Sequence, residues 1–362
     1  MAKTIQRVLI YRLGSLGDTL VALPALHLVA RAFPGAERRL LTNFPVNVKA
    51  PPAAAVVENT GLVQGYFRYA VGTRSVSELL SLWWTLVRWR PEVLVYLAPP
   101  RGVGAAKRDV AFFRLCGIRR IVGAPVTEDL HNNRIENAEG WLEPEASRLA
   151  RCVAELGDAY LDDPASWDLR LTEVERAKAA EVLGGAGERP WIAVSIGTKN
   201  QSNDWGRENW RELLRRLAAM YPGYGLAITG AAVDAEYSES IAEGWRGVAS
   251  GGPVLNLCGK LTPRESGAVF ARSRVFLGHD SGPMHLAAAM QTPCVGIFSA
   301  RNIPRVWFPY GRRHRVLYHR VECAGCRLET CIVEKKRCLT SITVDEVLAE
   351  VRGVLDSLRG DS

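Results

Sequence analysis

"VLIYRLGSLGDTL", residues 8 to 20, decides how the first half of this chain is read. Val8 to Tyr11 are apolar without alternation, as in a strand buried on both faces of a parallel sheet. Gly14 and Gly17 then open a loop that ends in Asp18. A helix-period pattern, "TLVALPALHLVARAF", follows until Pro34-Gly35 stops it. Strand, loop and helix make the first half of a βαβ unit, and open parallel sheets bind ligands in loops at the carboxyl ends of their strands. The loop is not a dinucleotide fingerprint, because no G-x-G-x-x-G occurs, nor a P-loop, because no G-K-[ST] follows. On local grounds Asp18 reads as a helix N-cap that accepts hydrogen bonds from the first backbone amides.

The same alternation continues outward from this stretch. Apolar runs recur at "RRLLT" (38–42), "EVLVYLA" (92–98) and "RIVGA" (120–124), then at "WIAVSIG" (191–197), "GLAITG" (225–230), "PVLNLCG" (253–259), "RVFLGHD" (274–280) and "PCVGIFS" (293–299), with helical patterns between them. Strands alternating with helices predict α/β, doubly wound parallel sheets. The pattern weakens across 160–190, and 362 residues suit two domains. We therefore expect an N-terminal domain over 1–165, a second over 186–342, and an amphipathic helix over 343–362 that returns to the first domain. The two domains are expected to face each other across a ligand-binding cleft.

Composition bounds the partners. A net charge of +8 with 23% charged residues favours anionic partners: nucleotides, phosphorylated glycans or a membrane surface. The basic run "RRHR" (312–315) reads as a solvated loop. The opening "MAKTIQRVLI" enters a strand pattern with no secretion signal, so a cytoplasmic location is expected. No apolar run reaches about 18 residues. The nearest, "LLSLWWTLVRW" (79–89), reads as an amphipathic core helix, although Trp83, Trp84, Trp89, Arg88 and Arg90 would also suit a membrane interface.

Three loops of the second half carry phosphate and sugar chemistry. In "GHDSGPMHLAAAM" (278–290) a strand ends, a tight loop follows and Pro283 occupies the first helical turn. The amides of Ser281, Gly282 and Met284, backed by the helix dipole, are expected to hold a phosphate, with His285 adding a hydrogen bond or charge. In "IGTKNQSNDWGRENW" (196–210), Thr198 and Lys199 follow a strand and could reach a phosphate. In "ITGAAVDAEYS" (228–238), Asp234 and Glu236 stand where an acid can bond ribose hydroxyls. In the first half, Arg101, Lys107 and Arg108 follow the "VLVYLAP" strand. Together with Arg134 they could meet acceptor phosphates or carboxylates.

Eight cysteines divide into two sets. Cys116, Cys152, Cys258 and Cys294 sit in apolar contexts and read as reduced core residues. Cys323, Cys326, Cys331 and Cys338 follow C-x2-C-x4-C-x6-C. A structural zinc, a disulfide or free thiols all fit that spacing. Without interleaved aromatic residues the segment does not read as a nucleic-acid binder.

Taken together, "VLIYRLGSLGDTLVALPAL", "LCGKLTPRESGAVFARSRVFLGHDSG", "LGHDSGPMHLAAAMQTPCVGIFS" and the Cys-rich tail resemble the lipopolysaccharide heptosyltransferase family, glycosyltransferase family 9. The resemblance covers nearly the whole chain. It implies a GT-B fold of two Rossmann-like domains, the first binding the acceptor and the second a nucleotide-sugar. It further implies inverting transfer with no metal or other cofactor in catalysis. Asp18 would be the general base, Asp280 would bind sugar hydroxyls, and Asp234 would lie near the ribose. ADP-heptose is the family's default donor. The acceptor would be a lipid-linked, lipopolysaccharide-core-like glycan met at the inner membrane surface. The chain departs from the family at Asn203-Asp204, where a basic residue usually precedes the tryptophan. Lys199 is the candidate replacement.

Overall fold

The computed structural model describes residues 4–43, 52–69, 75–184 and 189–360. The chain divides into two compact units, Met1–Arg170 and Leu171–Ser362. The first contains a five-stranded sheet, all parallel: β1 (Arg7–Tyr11), β2 (Glu37–Asn43), β3 (Gly65–Tyr69), β4 (Val93–Tyr96) and β5 (Arg120–Val122), in the order β3-β2-β1-β4-β5. Pairing of Tyr11 with Tyr96 sets the register of the two central strands. Tyr11 then stands edge-on to Tyr69, Tyr96 and Phe113, which locks strand ends and a covering helix into one aromatic cluster.

The second unit has six parallel strands: β6 (Trp191–Ser195), β7 (Gly225–Ile228), β8 (Val254–Asn256), β9 (Val275–His279), β10 (Cys294–Phe298) and β11 (Arg315–Tyr318), in the order β11-β10-β9-β6-β7-β8. In both units the strand order reverses beside the first strand, between β1 and β4 and between β6 and β9. Crevices at such reversals are the usual ligand sites of doubly wound sheets.

The central strands read as apolar are buried along their lengths, apart from Arg7 at the start of β1. Two edge strands escape a sequence reading, because β3 and β11 are only partly covered and mix polar with aromatic residues. Arg315 of the "RRHR" run opens β11. His314 in that run is largely buried: its Nδ1 accepts the Cys294 N–H at 3.2 Å. Only Arg312 and Arg313 fit the solvated loop expected there.

The ends of the second unit differ from expectation. The helix Val344–Gly360 was expected to return to the first domain. Instead Val347, Val351, Val354 and Leu355 lie in the second unit's own core with Trp205, Trp210 and Leu213. The cause is the helix's single apolar stripe, and each side chain so buried contributes roughly 1.5–3 kcal/mol. Just before it, the Ile342 carbonyl accepts the Trp205 indole N–H at 2.9 Å. The helix Glu173–Val182, placed between domains by the sequence pattern, also belongs to this unit. Glu175 caps it through Thr172 and receives Arg264 at 2.5 and 3.0 Å. Residue 186, the expected start of the second domain, lies outside the described residues. No helix among the described residues is long and apolar enough to cross a membrane.

Candidate active site

The loop after β1 is built around Asp18. Ser15, not Asp18, is the N-cap of the short helix Leu16–Leu20, and Asp18 is its third residue. Asp18 Oδ2 accepts the Ser15 backbone N–H at 2.8 Å and the Ser15 hydroxyl at 3.2 Å, the acidic half of a capping box. Oδ1 has no hydrogen bond among the described residues. Gly14 permits this arrangement in two ways. Its φ of +125° is left-handed, and a Cβ there would stand 2.4 Å from Asp18 Cβ and Cγ.

Arg12 supports the loop from below. It is 1% exposed; Nη1 donates to the Leu97 carbonyl just past β4 at 2.5 Å, and Nη2 donates to the Asp18 carbonyl. Burial pulls its pKa down, while the charges of Asp18 and Glu145 oppose that. A buried ion pair, Arg148 on Glu145 at 2.8 and 2.6 Å, completes the cluster. Sequence reasoning quoted Arg12 and gave it no role. The available signal was an arginine directly after a fully buried strand, where a charge survives only if paired.

The candidate acceptor cations have different settings. Arg101 Nη2 donates to the Tyr11 hydroxyl at 2.8 Å and pairs with Asp109 at 2.6 Å. Burial disfavours its charge, but Tyr11 and Asp109 outweigh burial and raise its pKa. Lys107 and Arg108 lie exposed on the helix Val103–Leu115. Arg134 is occupied by a two-point pair with Asp129 at 2.9 and 3.0 Å. The Gly102 N–H donates to His131 Nε2 at 2.8 Å, so the Arg101 loop and the segment leading to Arg134 adjoin.

In the second unit the loops after β6, β7 and β9 meet at the strand reversal. Asp234 accepts the Ala231 N–H at 3.1 Å, and its carboxylate lies against Gly197, where a Cβ would come within 2.4 Å of Oδ2. This glycine lets the β6 and β7 loops touch. Thr198 closes a turn on Asn200, and Lys199 is exposed beside it. Asp280 Oδ2 accepts the Asn302 side-chain amide at 3.0 Å, which joins the β9 loop to the one after β10.

Ser281 caps the helix Gly282–Ala289, whose first turn holds no acid. The Met284 N–H expected to face a phosphate instead donates to the Ser281 carbonyl at 3.2 Å, because the amide directly after Pro283 is drawn into the first turn. The Ser281 and Gly282 amides have no acceptor within the helix. His285 is 6% exposed and its ring stands edge-on to Trp307, 6.2 Å between centroids.

Further polar groups there were not singled out from sequence. The hydroxyls of Ser195, Thr229 and Ser281 are buried without hydrogen-bond partners, at or just past the ends of β6, β7 and β9. Unpaired buried polar atoms are uncommon, and a cluster at neighbouring strand ends fits a polar ligand. His279 is fully buried. Its Nε2 accepts N–H from Trp205 (3.1 Å) and Trp210 (3.2 Å), so Nδ1 carries the proton and donates to the Ile196 carbonyl at 3.2 Å. Burial lowers its pKa to about 4, with Asp204 opposing.

Asn203 and Asp204, where a cation was expected, are structural. Asn203 Oδ1 accepts the Ser299 hydroxyl at 2.5 Å, and Asp204 Oδ1 accepts the Gly206 N–H at 3.1 Å and the Tyr237 hydroxyl at 3.2 Å. A lysine does reach this loop, from the Cys-rich tail: Lys336 Nζ donates to the Asp204 carbonyl at 2.7 Å. The tail also accepts from Ser202 through Glu329 (3.1 Å) and Leu328 (2.6 Å), and the Cys331 N–H donates to Gln201 at 3.0 Å. All eight cysteines are free thiols. Burial raises the Cys338 pKa, and Cys323, Cys331 and Cys326 push it the same way. Yet no three His, Cys, Asp or Glu side chains among the described residues are disposed to hold a metal ion. The thiols suit zinc chemically but are not gathered as ligands among the described residues.

Two parallel α/β units with strand-end loops rich in glycine, acid and amide are the architecture of GT-B enzymes. Residues 132–337, more than half of the chain, match the family described as glycosyltransferase family 9 (heptosyltransferase). The chain belongs to that family and is a glycosyltransferase. It is 27% identical over 335 residues to lipopolysaccharide heptosyltransferase 1 of Pseudomonas aeruginosa, spanning 90% of this chain and 87% of that protein. Among solved structures, the family 9 glycosyl transferase of Veillonella parvula superposes with a TM-score of 0.71 at 17% identity over 99% of both chains. The Escherichia coli ADP-heptose lps heptosyltransferase II superposes with a TM-score of 0.66 at 18% identity, over 99% of this chain and 100% of that one.

Proposed function

We propose that this glycosyltransferase moves heptose from ADP-heptose to a lipid-linked, lipopolysaccharide-core-like glycan, with inversion and with no metal in the transfer step. The observation that carries the reading is the state of Asp18: Oδ2 is fixed by the Ser15 amide while Oδ1 is uncommitted. A carboxylate held in one orientation with one free oxygen is what a general base requires.

In this reading Asp18 takes the proton of the acceptor hydroxyl as its oxygen attacks the anomeric carbon. The bond from that carbon to the diphosphate oxygen breaks, ADP leaves and the anomeric configuration inverts. The proton on Asp18 returns to water. Charge that develops on the diphosphate meets the Ser281 and Gly282 amides and the dipole of the helix they open, with Lys199, Thr198 and His285 alongside. Asp234 binds the ribose and Asp280 the sugar hydroxyls. Arg101, Lys107, Arg108 and Arg134 face acceptor anions. The donor assignment draws on the Escherichia coli relative named for ADP-heptose, and the acceptor on the Pseudomonas relative named for lipopolysaccharide. We place the enzyme in the cytoplasm, peripheral to the inner membrane.

The test is a thermal-shift series with ADP, UDP, GDP, CMP and ADP-heptose. A ligand of the folded state raises Tm as ln(1 + [L]/Kd). ADP and ADP-heptose should give the largest shifts, unchanged by EDTA. No shift with any nucleotide overturns the donor reading, and a larger shift with another base reassigns it.

A further inference from the structure

The helix Val76–Trp89 is apolar on two faces. Leu82, Leu86 and Trp89 point into the first unit's core. On the opposite side Val76 (69% exposed), Leu80 (58%) and Trp84 (59%) follow each other at four-residue steps, and Arg88 continues the same stripe. Helices on a water-soluble surface carry polar residues on the outer face; an apolar outer stripe calls for a partner.

The surroundings say which partner. The Trp83 indole N–H donates to the Leu115 carbonyl at 3.1 Å, bringing the end of the helix Val103–Leu115 against this one. Leu115 there is 75% exposed and extends the apolar surface. Arg88 lies in the last turn of this helix, Arg90 is its C-cap, Arg114 precedes Leu115 and Arg119 follows it by four residues. All four are exposed and none is in an ion pair among the described residues, whereas the apolar helix carries one exposed acid, Glu78, and the Glu37 that bonds Trp89 is already paired with Arg39. Exposed tryptophan and leucine flanked by uncompensated arginine is the composition that seats a helix in the interface of an anionic bilayer: the apolar side chains enter the acyl boundary and the guanidinium groups meet phosphate.

We propose that the outer face of the helix Val76–Trp89, with Leu115 and the four arginines, is the surface by which this protein docks on an anionic lipid leaflet. The inference rests on the reading of the acceptor as lipid-linked and adds to it the face and the lipid charge. The stripe and the arginines belong to the first unit, in which the acceptor would bind.

The experiment is flotation of the full chain with vesicles of phosphatidylcholine alone or with about one third phosphatidylglycerol, free of any sugar substrate. It therefore reads docking whatever the transfer activity. The wild type should float with anionic vesicles, weakly with neutral ones, and less as salt rises. Leu80→Ser with Trp84→Ser, and separately Arg88→Glu with Arg114→Glu, should each lower the bound fraction about tenfold or more. Both pairs are solvent-facing, so Tm should hold. ADP-induced Tm shifts should hold as well, which separates loss of docking from loss of the donor reading. A wild type that ignores anionic vesicles, or variants that float like it, overturns the proposal. So does sedimentation that reveals a dimer which the Leu80/Trp84 variant dissolves, because a second copy would then be what covers the stripe.

Discussion

The loops after β1 and β9 are the same device with opposite charge. Each follows the strand at a sheet's reversal point, and each opens a helix through a serine N-cap, Ser15 or Ser281. In the first, Asp18 supplies the negative charge that a helix N-terminus attracts and takes the Ser15 amide for itself. In the second, no acid enters the first turn, and the Ser281 and Gly282 amides are left for a ligand. One carboxylate thus separates a loop whose first amide is taken by its own acid from a loop whose first amides are left open, which is the division the proposed base and anion roles require.

Breaking the first loop should have the largest effect. Asp18→Asn keeps the shape of the side chain and removes its basicity, so turnover should fall roughly 10²–10⁴-fold. Steady-state rates with saturating donor measure it, and a rate within a factor of two of wild type would remove Asp18 from the chemistry. Gly14→Ala should come next. A methyl there meets Asp18 Cβ at 2.4 Å in a left-handed backbone, so Tm and turnover should fall together, with about 1–3 kcal/mol of strain.

Acid should separate the two units. His279 and His314 of the second unit are both held near pKa 4 by burial, whereas the first unit has one such group, His27, lowered by burial against the hydrogen bond it shares with the Asp168 carbonyl. Unfolded imidazoles take a proton near pH 6.5. Stability from these two is therefore complete above pH 6.5 and is lost as pH falls towards 4, by up to about 1.4 kcal/mol per pH unit for each. Hydrogen exchange at pH 7 and pH 5 should show β9 and β10 losing protection before β1 and β4. Equal loss in both units would contradict the assignment.

Much of this comparison is legible in the sequence. The unbroken apolar runs of β1, β6 and β9 and the glycines after them place the loops without coordinates, since buried parallel strands cannot alternate. Edge strands β3 and β11 do not announce themselves, because partial exposure admits arginine and tyrosine. Capping roles are equally hidden: Ser15 and Asp18 both favour helix starts, and only backbone geometry decides which is cap and which is third residue. The supports of the loop around Asp204 and Trp205 come from far along the chain. His279 reaches Trp205, and Lys336 reaches Asp204 from more than a hundred residues away. No local spacing encodes such contacts.

That last contact gives the smallest expected effect. Lys336→Met removes the bond to the Asp204 carbonyl and loosens residues 201–204. The donor KM should rise about fivefold with kcat nearly unchanged, as a lost charged hydrogen bond at a partly exposed site allows. A fall in kcat alone would argue instead for direct action on the leaving group.

The central claim is that the two loops divide base and anion between them, and calorimetric titration of ADP into two variants tests it. Asp18→Asn should bind ADP as wild type does. Ser281→Asp puts an acid at the N-cap of the second helix, three positions before the one Asp18 holds in the first, and should bind ADP about tenfold or more weakly. Equal binding by both variants, or weakened binding in Asp18→Asn alone, would contradict the account.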